Sequence, residues 1–279
     1  MSQSSISIKC IPTSLLESVT AHISDLTIGL SKIVGSQDSE DVQLLGSGTL
    51  VKAGGVHAIL TAQHVLKLLP TTGRLGLILS KSTRRDTIDV QGVSYLDLGR
   101  GTLDCEGPDL AVIVLSATIA STVAARKSFY DLDKHRERAL TNPPERQYGV
   151  WCNIGFIDEK TVEEPGRDGY TKIRGFCLYA GFGGPEDAPV YRDGFDFISM
   201  PVTYSSSPGI PKSFGGMSGG GLWQIQLIKK ESGIEAGELL LSGVVFYQEA
   251  LSNMCRNIIC HYRESVYKTA YESIKNAAL

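Results

Sequence analysis

From Thr27 onward, short apolar runs alternate with clusters of Gly, Ser, Asp and Pro. Apolar runs of this length bounded by turn residues predict β-strands. One set falls at 27–34, 42–51, 56–60, 75–79, 88–95 and 110–115, and a second at 148–156, 171–179, 195–202, 222–228, 239–247 and 257–262. Six short strands separated by turn residues suit a small closed antiparallel barrel. The expected fold is therefore all-β, with two six-stranded antiparallel β-barrels. Helical spacing appears only at the ends. Leu15, Leu16, Val19, Ile23 and Leu26 form one apolar face behind a Ser14-x-x-Glu17 capping box, and Val266, Ala270, Ile274 and Ala277 form another over 265–278. The domains that follow are an N-terminal extension (1–26), a first barrel (27–125), a connection (126–147) and a second barrel with its C-terminal helix (148–279). From 116 to 147 the chain is polar and charged, with Asn142-Pro143-Pro144 as a break.

Composition narrows the partners. A hydrophobic content of 42% is ample for a core, and a net charge of −3 offers neither nucleic acid nor an anionic membrane an electrostatic footprint. The basic spots at Arg84-Arg85 and Lys134–Arg138 are expected to be solvated faces. No apolar run approaches the roughly 18 to 20 residues that span a bilayer. Residues 1–10 show no basic segment followed by an apolar one, so a soluble, cytoplasmic protein is expected. Six cysteines include no C-x-x-C pair, which argues for free thiols, with Cys152 and Cys177 in apolar strands, and against a zinc site.

The chemistry centres on Ser213-Phe214-Gly215-Gly216-Met217-Ser218-Gly219-Gly220-Gly221-Leu222-Trp223, where five glycines crowd around Ser218. Glycine weakens regular structure by roughly 0.5 to 1 kcal/mol relative to Ala, so the cluster implies a backbone that turns sharply or comes close to something. A nucleophile on a tight turn is one such case, with the N–H groups of Gly216 and Ser218 aimed at a developing oxyanion. Serine needs a base and a group to orient it.

Both are available upstream. Thr61-Ala62-Gln63-His64 ends an apolar strand, and Pro108-Asp109-Leu110-Ala111 opens another. With His64, Asp109 and Ser218 in that order, the chain resembles the trypsin/chymotrypsin-like serine peptidases over residues 27 to 262. In that family a T-A-x-H turn, a D-[LI]-A strand start and a G-x-S-G-G loop supply base, acid and nucleophile. Gly46-Ser47-Gly48-Thr49-Leu50 also resembles the family's G-S-G strand, whose small residues allow close backbone packing.

His57 lies mid-strand, whereas His64 follows a strand end, where loops carry active sites. His22, His135 and His261 match no motif and are assigned structural or exposed roles. Asp104 and Glu106 compete with Asp109, but only Asp109 immediately precedes a buried strand. Gly216-x-Ser218-x-Gly220 also fits the nucleophile elbow of α/β-hydrolases, with His261 as base and Glu231, Glu235, Glu238 or Glu249 as acid. That elbow demands a helix after the serine, and 219–227 alternates like a strand instead.

The resemblance implies a serine endopeptidase that forms an acyl-enzyme through His64, Asp109 and Ser218, with an oxyanion hole at Gly216 and Ser218 and no metal or organic cofactor. The partner would be a protein or peptide substrate, docked as an added strand beside the second barrel, with a regulatory protein as a further candidate. The alternative is a restrained, protease-fold peptide-binding module. By analogy, Lys212 and Tyr247 fall at the substrate pocket, and a lysine at its floor would favour acidic side chains. Against this, Pro208-Gly209-Ile210-Pro211 could shift the loop and release Lys212 to water. Met217 stands where zymogens of this family activated by cutting carry an aspartate, so activation by a freed N-terminal amine lacks its partner, and the flanking glycines leave the loop free to switch.

Overall fold

The computed structural model of the chain describes residues 10–36, 39–79, 86–99, 107–147, 149–165, 172–204 and 209–277. Arg84, Arg85, Asp104, Cys105, Glu106 and Pro208 lie outside these residues. Helix α1 (Thr13–Ser24) leads into β1 (Thr27–Ser36), β2 (Ser39–Ala53) and β3 (Val56–Thr61). The short helix α2 (Gln63–Leu66) follows, then β4 (Arg74–Ile78), β5 (Asp86–Asp89), β6 (Val93–Asp97) and β7 (Ala111–Leu115). Next come α3 (Ala117–Ala124), β8 (Tyr130–Asp131) and α4 (Leu132–Leu140). The second half runs through β9 (Val150–Pro165), β10 (Lys172–Gly183), β11 (Val190–Arg192), β12 (Phe195–Thr203), β13 (Gly221–Lys230), β14 (Gly233–Gln248) and β15 (Cys255–His261). A π-helical turn (Ser265–Ala270) then enters α5 (Tyr271–Asn276).

The strands form two sheets, ordered β5-β4-β1-β2-β3-β7-β6 and β10-β9-β13-β14-β15-β12-β11, with β8 added to β2. All pairings are antiparallel except β2 with β8. With β8 the first sheet has eight strands, and the second has seven, against six expected in each. The run expected at 88–95 splits because a 3₁₀ turn at Val90–Gly92 interrupts it, capped by the Asp89 carboxylate on the Gln91 N–H at 2.9 Å. β8 and β11, two and three residues long, are too short to show a period in the sequence.

Residues 116–147 are not a plain connection, because α3 and α4 occupy most of them. The Asp131 carboxylate accepts from the Lys134 N–H at 3.2 Å and starts α4, whose Leu132 and Ala139 are buried while the basic run 134–138 follows the outer turns. The Ser14 capping box also fails to form. Pro12 occupies the N-cap of α1 with no side-chain hydrogen bond, so Ser14 lies inside the first turn. The apolar face is as expected: Val19 and Ile23 are buried, and α1 packs on β1 and β14. At the other end Val266, Ala270 and Ile274 are buried in the main core.

β7 is buried along its whole length, from Ala111 to Leu115. A second apolar cluster around Trp151, Phe214, Met217, Leu222 and Val245 sits under the glycine-rich loop. Cys152 is fully buried, Cys177 only partly, and Cys10 is exposed. Among the described residues no helix is long and apolar enough to cross a membrane.

Candidate active site

β3 ends at Thr61, and Ala62 is still extended (ψ 148°) before α2 begins, which puts His64 one turn beyond the strand. The first N–H groups of a helix have no partner within it. Asp109 supplies one, its Oδ1 accepting from the His64 N–H at 2.9 Å while Oδ2 lies 2.5 Å from Nδ1 of the ring. The carboxylate thus holds both backbone and side chain of His64, and it is nearly buried (7% exposed) against 30% for the imidazole. With Nδ1 committed to the carboxylate, Nε2 is the nitrogen left to take a proton.

Asp109 is held in turn. Its N–H donates to Nε2 of His261 at 3.0 Å. His261 is fully buried beneath the rings of Phe195, Phe197 and Phe246. That burial pushes its pKa down to about 3, with the neighbouring Asp109 opposing the shift. The ring is therefore neutral at ordinary pH, and accepting at Nε2 puts its proton on Nδ1. No local motif ties His261 to Asp109, because the two lie 152 residues apart, at the end of β15 and just before β7.

Ser218 lies on the loop between β12 and β13. Every carbonyl from Phe214 to Gly219 accepts a hydrogen bond. Phe214 accepts from the Met217 N–H (3.0 Å), Gly215 from Asp158 N–H (2.9 Å), Gly216 from Ser47 Oγ (2.7 Å), Met217 from Gly220 N–H (2.8 Å), Ser218 from Ser47 N–H (2.7 Å) and Gly219 from Thr49 Oγ1 (3.1 Å). The amides are engaged too, with two exceptions. Phe214 N–H donates to Gln248, Gly215 N–H to Ser213 Oγ, Met217 N–H to Phe214, Gly219 N–H to Val245 and Gly220 N–H to Met217. Among the described residues only the N–H groups of Gly216 and Ser218 in this stretch have no partner. The C=O and N–H of a trans peptide point opposite ways, so pinning the Gly215 and Met217 carbonyls also aims these two amides.

A positive φ calls for glycine at two of these positions. Gly216 has φ +90°, and a Cβ there would come 2.6 Å from Leu44 Cδ2; Gly219 has φ +92°, and its Cβ would lie 2.0 Å from the Ser47 carbonyl oxygen. The Gly46-Ser47-Gly48-Thr49 strand is thus the bed of the loop, as its small residues suggested. This dense pinning opposes the free switching expected of the glycines around Met217, whose side chain is fully buried.

His64, Asp109 and Ser218 line one pocket of about 260 Å³ with Phe214, Gly215, Val245, Phe246, Tyr247, Gln248 and Ile258. Ser218 and His64 do not share a hydrogen bond; the serine hydroxyl donates to the Phe246 carbonyl at 3.3 Å. Tyr247 lines this cavity. Lys212 does not, and the expectation of a lysine floor is corrected: the residue is exposed, and its N–H and that of Ser213 both donate to the Glu159 carboxylate, which turns this part of the loop outward. His57 is also elsewhere, edge-on to Phe129 with ring centroids 4.6 Å apart. Among the described residues no group of three or more His, Cys, Asp or Glu could hold a metal ion.

Comparison with known proteins does not assign a family: no protein-family model matches the chain, and no curated protein matches it.

Proposed function

We propose that the chain is a serine endopeptidase of the trypsin/chymotrypsin-like kind, its two sheets forming the double barrel of that family. The observation that carries this reading is the pair of amides, Gly216 and Ser218, that alone in the stretch 214–220 have no partner among the described residues, beside a serine that shares its pocket with a carboxylate-held histidine. Buried or half-buried N–H groups are rarely left without partners, and a site that leaves two adjacent ones free is suited to receive an anion. Each such donor contributes about 2.7 to 4 kcal/mol to acyl transfer in related sites.

In the proposed cycle, rotation of the Ser218 side chain exchanges the Phe246 carbonyl for His64 Nε2. The imidazole takes the Oγ proton as the oxygen attacks the peptide carbonyl, Asp109 stabilises the imidazolium, and the same proton passes to the leaving amine. Water then releases the acyl group by the reverse sequence. The substrate lies beside β14, where pairing with β13 ends at Val244 while β15 continues to cover the other side as far as Gln248.

The Ser218–Phe246 hydrogen bond favours a second reading, a restrained module that binds peptides and waits for a partner to free the hydroxyl. A fluorophosphonate probe separates the two. Labelling of the purified full-length chain that disappears in Ser218→Ala supports the peptidase, and no labelling with peptide binding retained supports the module.

A further inference from the structure

Gln248 stands on β14 at the wall of the pocket that holds Ser218. Its Oε1 accepts two hydrogen bonds, from the Phe214 N–H at 2.9 Å and from the Arg256 guanidinium at 2.7 Å. Two donors converging on one atom fix the orientation of the amide, because the flipped side chain would set its NH2 against both of them. The end left over is Nε2. Its one contact within the described residues is Ser213 Oγ at 3.4 Å, at the long limit of a hydrogen bond. A donor with two hydrogens therefore has at least one to spare.

Arg256 adds charge to the same corner. It has no carboxylate partner among the described residues, and its Nε is buried without a hydrogen bond. Glu159, on the outer side of the loop, gives its carboxylate to the backbone of Lys212 and Ser213. The rest of the lining is Phe214, Val245, Phe246, Tyr247 and Ile258, apart from the catalytic groups and Gly215. An apolar pocket whose spare polar group is a donor, backed by a cation, selects for an acceptor.

We infer that Gln248, oriented by Phe214 and Arg256, makes this a pocket for substrate side chains ending in a carbonyl or carboxylate oxygen. Glutamine and glutamate, with asparagine and aspartate as shorter forms, are the residues it admits immediately before the scissile bond. A cationic side chain is repelled by Arg256 behind Gln248, and an aliphatic one covers the Gln248 N–H without pairing it. This inference rests on the peptidase reading and gives its substrate class.

The test is cleavage of peptides that differ only at the residue before the scissile bond, by the full-length protein, with fluorophosphonate labelling of the same preparation. Gln and Glu peptides should exceed their Leu and Arg counterparts by about tenfold or more in kcat/KM, the discrimination one unpaired buried polar group supplies. In Gln248→Glu the spare donor is lost, and the ratio of Gln to Leu cleavage within that variant should fall by a similar factor. Should the variant not fold, Arg256→Gln tests the same corner, and a larger loss for Glu than for Gln peptides identifies the carboxylate as the favoured acceptor. A labelled, active protein that prefers Leu, Phe or Arg, or whose ratios survive both substitutions, overturns the inference while the peptidase reading stands. Absence of both labelling and cleavage overturns both.

Discussion

The N–H of Asp109 donates to Nε2 of His261 at 3.0 Å, so the carboxylate that holds His64 is itself held from behind by a second histidine. The acceptor sits in a cage of three phenylalanine rings, and its Nδ1 has no partner among the described residues. A buried polar group with one bond made and one missing is sensitive to any change in its charge.

Replacing His261 by Ala removes the acceptor and leaves a cavity among Phe195, Phe197 and Phe246. The expected loss of stability is roughly 2 to 5 kcal/mol in urea denaturation, with a fall in kcat as Asp109 loosens. Stability equal to that of the parent would show that the Asp109–His261 bond carries no weight.

The same residue sets an acid limb. Its folded pKa is pushed down to about 3, below the ordinary value of 6.5, because burial disfavours the charged ring. The unfolded chain therefore binds this proton first, and stability falls as the pH drops below about 6.5 and keeps falling until the folded form also protonates. His261→Gln, whose amide oxygen can still accept from Asp109 and which takes up no proton, should flatten that limb. Urea midpoints measured across the acid range in both proteins check the difference.

Ser47 bridges the two halves of the site, its hydroxyl donating to the Gly216 carbonyl at 2.7 Å and accepting from the Phe156 N–H at 2.8 Å. Ser47→Ala leaves both groups unpaired, at a cost of about 1 to 3 kcal/mol. Because the Gly216 amide would act only on the oxyanion, kcat should drop more than KM rises. A change confined to KM would separate Ser47 from the oxyanion loop.

On the proposed peptidase reading, Ser218→Ala and His64→Ala should each lower kcat by about 10⁴-fold or more, since members of a triad act as a unit. His57→Ala should keep most of the activity, because its ring packs on Phe129 away from the pocket. Turnover retained in Ser218→Ala would end the serine assignment.

Met217 is fully buried in an apolar cluster with Trp151, Phe214, Leu222 and Val245. An ammonium inserted there would lie unpaired, at a cost of several kcal/mol. The chain with its N-terminus intact is therefore expected to react with a serine-directed phosphonate. Labelling that depends on a freed and unblocked amine near Thr27 would contradict this.

Most of the longer strands and the three motifs are legible in the chain alone, because both are local. Short apolar runs bounded by turn residues mark β3 and β7, polar–apolar alternation marks β13, and T-A-x-H, P-D-L-A and G-G-M-S-G-G each encode a turn or strand start at one place. The sequence also singled out Gly46-Ser47-Gly48, since small residues announce close approach even when the neighbour is unknown. The tertiary structure decided what those residues touch. α3 and α4 were hidden in a polar stretch because only Leu132, Ala139 and a few others face the core, and β8 and β11 exist through their partners rather than through a pattern. Lys212 was misplaced because the path of its loop is set by Glu159, 53 residues away. His261 and Gln248 were missed as site residues for the same reason. Each acts through hydrogen bonds to chain segments distant in sequence, and such bonds depend on distance and direction in the folded chain, which no local pattern carries.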